Sequence, residues 1–126
     1  MRIHHLALRT ADVSRLERFY ADVLGLDVLR RDGERSVWLD AGGAIIMLER
    51  SSTDEPAIDP RSLELTCFAI DPAEHAAILR RLEAAGIHVE GRTAYSLYFR
   101  DPDGRRVGVS SYPAELGAAS DDSAPA

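Results

Sequence analysis

A strand, a capped helix and three short strands occur twice in this 126-residue chain, and that duplication constrains the fold more than any other feature. After "RIHHLALRT", Asp12 is placed to cap a helix whose apolar positions Val13, Leu16, Phe19, Tyr20, Val23 and Leu24 keep helical spacing up to Gly25. After "LELTCFAI", Asp71 is the matching cap, Pro72 sits in the first turn and Glu74 closes a capping box. Ile78, Leu79, Leu82 and Ala85 then run to Gly86. "LDVLRRDGERSVWLDAGGAIIMLER" reads as three strands broken at Asp32-Gly33 and Ala41-Gly42-Gly43, and "IHVEGRTAYSLYFRDPDGRRVGVSSYP" as three more, broken near Gly91 and at "DPDG". Phe68 stands 60 positions after Leu8, whereas Gly86 and Gly104 stand 61 after Gly25 and Gly43, so one residue gained in the helical region reconciles the two halves.

The expected architecture is α+β: two tandem βαβββ modules in a single domain over residues 1–113. Module one covers 1–50, a polar linker with two prolines 51–61, and module two 62–113. Residues 114–126 carry no apolar periodicity and are expected to be disordered. The net charge of −6 opposes binding to nucleic acid or anionic lipid. No apolar run approaches a membrane span and no secretory leader is evident, so a cytoplasmic protein is expected. The one cysteine, Cys67, excludes an intramolecular disulfide and a cysteine-based zinc cage, and reads as a small buried residue of a strand.

The duplicated pattern, with "HHLALRTADVSRLERFYADVLGL" near the start and "FRDPDGRRVGV" near the end, resembles the vicinal oxygen chelate superfamily of glyoxalases, bleomycin-resistance proteins, fosfomycin-resistance enzymes and extradiol dioxygenases. The resemblance spans residues 2 to 112. It implies a cup-shaped mixed sheet with helices on its outer face, a cavity between the modules, and a homodimer. It also implies that metal-using members carry His or Glu at four matching places, on the first and last strand of each module. Here those places read His5, Met47, Leu65 and Gly108. One imidazole among apolar neighbours does not hold a divalent ion, which usually needs three or four donors. Glu49, two residues beyond Met47 on the same strand face, is the candidate second ligand, leaving an incomplete metal pair of His5 and Glu49.

With the "DPDG" hairpin closed so that residue 97 pairs with 108, alternation sends Tyr95, Leu97, Phe99, Arg106, Gly108 and Ser110 to the cavity and Tyr98, Val107 and Val109 to the core. In module one, Ser36, Trp38, Ile45, Met47 and Glu49 face the cavity, and Val37, Leu39, Ile46 and Leu48 the core. The expected ligand-binding set is therefore Ser36, Trp38, Met47, Leu65, Tyr95, Leu97, Phe99, Arg106 and Gly108. Two functions stand. One is the binding of a small, mostly apolar or aromatic organic molecule without a complete metal site. The other is a glyoxalase-type lyase or isomerase, dependent on zinc, nickel, manganese or iron, with His5 and Glu49 as catalytic residues.

Overall fold

The computed structural model describes residues 1–113, and the expected disordered tail lies outside the described residues. The chain forms two compact units, one ending at Ile58 and the other starting at Asp59, a boundary that falls inside the expected linker.

In the first unit, β1 (His5–Thr10) leads to α1 (Val13–Glu17) and a π-helical turn (Arg18–Val23), then to β2 (Asp27–Asp32), β3 (Ser36–Asp40) and β4 (Ile45–Arg50). The Asp12 carboxylate accepts the Arg15 N–H at 3.0 Å, the expected cap. The wider turn, closed by the Leu24 N–H on the Phe19 carbonyl, buries the adjacent Phe19 and Tyr20 together, edge to face at 4.8 Å. The strand order is β1-β4-β3-β2, with β1 parallel to β4 and the others antiparallel. Val37, Leu39, Ile46 and Leu48 are buried on the face that α1 covers, as alternation requires.

The second unit repeats the plan with β5 (Leu65–Ala69), a short 3₁₀ turn, α2 (His75–Ala84), β6 (Gly91–Arg92), β7 (Ser96–Arg100) and β8 (Arg106–Ser110), in the order β5-β8-β7-β6. Two parallel pairs confirm the offsets read from the sequence: Ala7 faces Met47 across β1 and β4, and Cys67 faces Gly108 across β5 and β8. The capping box at Asp71 does not form. Residues 72–74 wind as a 3₁₀ turn held by the Glu74 N–H on the Asp71 carbonyl, so the backbone supplies what the side chains were expected to. Gly91 lies within β6 rather than at a break, and Cys67 is exposed rather than buried.

The two hairpins differ, and the difference decides the second sheet. Ala41 and Ala44 bracket a two-residue turn through Gly42 and Gly43, both at positive φ, closed by the Ala41 N–H on the Ala44 carbonyl. At "DPDG" the loop has three residues: the Gly104 N–H reaches the Asp101 carbonyl, Gly104 adopts φ 95°, and the Asp101 N–H bonds to the Arg105 carbonyl. That added residue makes Tyr98, not Leu97, the partner of Gly108. A slip of one reverses a strand's faces. Leu97 and Phe99 therefore join Val107 and Val109 on the buried apolar face, with 0% of Leu97 and Phe99 exposed, and Tyr98 moves to the opposite face. The cavity assignment of Leu97 and Phe99 is corrected accordingly, while Tyr98 is buried as expected but on the other face of the sheet.

Candidate functional site

On the first sheet, the face away from α1 carries His5, Ala7 and Arg9 from β1, Ile45, Met47 and Glu49 from β4, and Ser36 and Trp38 from β3. A cavity of about 610 Å³ opens on this face, floored by Trp38 and Met47, which are directly paired across the strands, and bordered by Arg9, Ser36 and Glu49. The Arg30 guanidinium lies over the indole, 5.2 Å from the ring centre.

Arg9 is fixed from two sides. Its Nε and Nη2 donate to the Glu55 carboxylate at 2.9 and 2.7 Å, and its Nη1 stands 3.7 Å from Glu49 Oε1. The Arg9 bonds, helped by the Ser52 N–H, pull the Glu55 carboxyl down to about 2. Alternation on β1 carries the face of His5 and Ala7 on to Arg9, so this residue was within reach of the sequence pattern that missed it. Arg35 and Ser51 also border the cavity, but they lie outside the strands, where no periodicity points to them.

His5 and Glu49 share the face but do not meet. His5 stands opposite Ile45, whereas Glu49 stands opposite Arg9, four positions along, about 13 Å at ~3.3 Å per residue. His5 Nδ1 instead lies 2.9 Å from His4 Nδ1, in an exposed pair of imidazoles. The expected two-ligand constellation is therefore not assembled by the strand register.

On the second sheet, Leu65, Arg106 and Gly108 share one face, and Leu65 is exposed. Tyr95, also exposed, lies just before β7, edge to face with Tyr112 at 5.5 Å. The ring of Tyr98 covers Gly108: a Cβ there would stand 2.9 Å from Tyr98 Cδ1 and 3.2 Å from Cys67 Sγ. Arg106 stacks on the same phenol, its guanidinium carbon 4.6 Å from the ring centre. Glu90 ties Arg106 and Arg100 together through their Nε groups at 3.0 and 3.1 Å, and these bonds, that of Arg100 first, hold its carboxyl below the usual range. Desolvation on this face pushes the Cys67 thiol up, which disfavours the thiolate.

Where the resemblance implies a carboxylate in metal-using members, this sheet has a glycine roofed by an aromatic ring. Of the four donor places only His5 carries a nitrogen or oxygen donor, and among the described residues no three His, Cys, Asp or Glu side chains converge. The residues present do not fit a chelated divalent ion. Gly108→Ala is expected to cost about 1–3 kcal/mol of stability, because its methyl must displace Tyr98, and to cost less in a Tyr98→Ala background, where the clash is gone. Denaturant unfolding of the three variants measures this.

Paired βαβββ units of this kind define the class to which the comparisons also assign the chain. It belongs to the Glyoxalase/Bleomycin resistance protein/Dioxygenase superfamily, whose family model matches residues 2–109. Within it, the chain is 31% identical over 122 residues to a virulence protein, STM3117, of Salmonella typhimurium, covering 88% of this chain and 84% of that protein. It is 28% identical to a lactoylglutathione lyase from Agrobacterium tumefaciens, with a TM-score of 0.67 and coverage of 86% of this chain and 92% of that one. A glyoxalase/dioxygenase from Nostoc punctiforme shares the fold at a TM-score of 0.74 and 21% identity, covering 86% of this chain and 88% of its own. No helix among the described residues is long and apolar enough to cross a membrane.

Proposed function

We propose that this superfamily member binds a small organic molecule with an apolar or aromatic body on the open face of its first sheet, without a complete metal site. The observation that carries the reading is Met47: it lines the 610 Å³ cavity beside Trp38, at a place where the resemblance implies a donor in metal-using members. A thioether is a poor ligand for a hard or borderline divalent ion and a good surface for an apolar or aromatic ring. The cavity size suits a small-molecule site whose few polar groups set orientation. A homodimer, which the superfamily resemblance implies, and a cytoplasmic location are part of the same proposal.

The test has two arms. Purified protein is expected to hold no stoichiometric zinc, nickel, manganese or iron, and its melting temperature is expected not to rise when those ions are added. Trp38 is the sole tryptophan, so its fluorescence is expected to respond to members of a panel of aromatic compounds. Stoichiometric metal that is lost in His5→Ala would replace this reading with that of a metal-dependent lyase or isomerase. An indole indifferent to the whole panel would remove the binding site.

A further inference from the structure

We infer that the molecule held by the first sheet is an organic cation: an apolar or aromatic body carrying one protonated amine. The inference rests on the reading of that cavity as a small-molecule site and names the chemistry of its occupant.

The strand register arranges the open face in rows that cross all four strands. One row is Arg30, Trp38, Met47 and Ala7, paired in that order across β2, β3, β4 and β1. The next, two residues along and about 7 Å away at ~3.3 Å per residue, is Asp32, Ser36, Glu49 and Arg9. The cavity lies over both rows. Its floor is apolar on one side and, on the other, a hydroxyl flanked by two carboxylates.

Charge along the polar row is one-sided. Arg9 is committed to Glu55 by hydrogen bonds of 2.9 and 2.7 Å and stands 3.7 Å from Glu49, so one guanidinium is shared by two carboxylates. Among the described residues the Asp32 carboxylate enters no ion pair. Arg35 and Arg50 also border the cavity, but each is one position out of phase with the Ser36–Glu49 pair, which places it on the face that α1 covers. Arg50 there lines a second pocket with Asp12 and Glu34.

A cation is already seated on the apolar row. The Arg30 guanidinium lies over the Trp38 indole, 5.2 Å from the ring centre, and among the described residues no carboxylate forms an ion pair with it. The ring therefore accepts positive charge from the open side, an observation independent of the carboxylates. Asp32 and Glu49 stand two strands apart, about 10 Å at the backbone at ~4.8 Å per strand, a span that one ammonium group above Ser36 bridges. A ligand that lays its body on Trp38 and Met47 and points an ammonium at that row satisfies both. A carboxylate head would meet two like charges there, and a hydroxyl would neutralise neither.

The experiment compares three probes of one shape by calorimetry: 2-naphthylmethylammonium, 2-naphthylmethanol and 2-naphthoate. The ammonium is expected to bind about tenfold or more tightly than the alcohol, and the acid most weakly, with the ammonium's advantage shrinking at high salt. Asp32→Asn and Glu49→Gln are each expected to weaken the ammonium about fivefold and to leave the alcohol within about twofold. Asp32 is exposed and Glu49 half-buried, and unchanged melting temperatures establish that these variants are folded. If alcohol and ammonium bind alike, if the acid binds best, or if the ammonium is indifferent to both substitutions, the cation inference is overturned while the cavity's role as a small-molecule site stands. If none of the three binds and Trp38 is indifferent to the wider panel, both fall.

Discussion

Phe99→Ala is expected to lower the unfolding free energy by about 3–5 kcal/mol, the range for removing a fully enclosed aromatic side chain. Phe99 is 0% exposed and lies directly across from Val107, on a face it shares with Leu97 and Val109. Truncation to alanine loses the transfer free energy of the ring and leaves a void that this packed sheet cannot close. Urea unfolding measures the effect, and a shift in midpoint at unchanged slope identifies it as stability rather than a change in the unfolded chain. The same variant tests the register of the second sheet. Had the hairpin closed on a two-residue loop, Phe99 would line an open face and its removal would cost well under about 1 kcal/mol; a loss that small would return it to the cavity.

The second large effect is expected at the turn that sets this register. Asp101→Ala should destabilise the protein by about 2–4 kcal/mol. The Asp101 side chain is 0% exposed and is bonded by the Asp103 N–H at 2.9 Å, the Arg105 N–H at 3.1 Å and Arg105 Nη1 at 3.2 Å. Its loss leaves two backbone donors and a guanidinium, itself only 14% exposed, without their acceptor on this side, although Asp103 retains one contact to Arg105. Asp101→Asn keeps an acceptor oxygen but not the charge, and is expected to lose about half as much. Thermal unfolding of the two variants compares them. A loss below about 0.5 kcal/mol for alanine would show that the loop holds its three-residue form without this carboxylate.

Alternation in the first unit was legible because its hairpin turns on two glycines, and the faces assigned to Ser36, Trp38, Met47 and Glu49 are those observed. The same reasoning failed in the second unit for a local reason. "DPDG" is compatible with two loop lengths, and the choice depends on whether Asp101 or its neighbours take the turn's hydrogen bonds. One cue is in the sequence: Leu97, Phe99, Val107 and Val109 make a wholly apolar set for one face, whereas a two-residue loop groups the Tyr98 phenol with Val107 and Val109. The candidate metal pair failed differently. His5 and Glu49 do lie on one face, but a shared face says nothing about distance along it, and the parallel pairing of β1 with β4 sets Arg9 rather than His5 beside Glu49.

The order of residues by itself determined that the chain is a duplicated βαβββ unit and which helix ends at which glycine, since each of these follows from spacing and side-chain chemistry within a short stretch. Tertiary structure decided that Tyr98 lies over Gly108 and that Arg9 is clamped by Glu55. These depend on how hairpins close and which strands pair across forty residues of intervening chain, where hydrogen bonding between distant segments, not local periodicity, selects one register from two that the pattern allows.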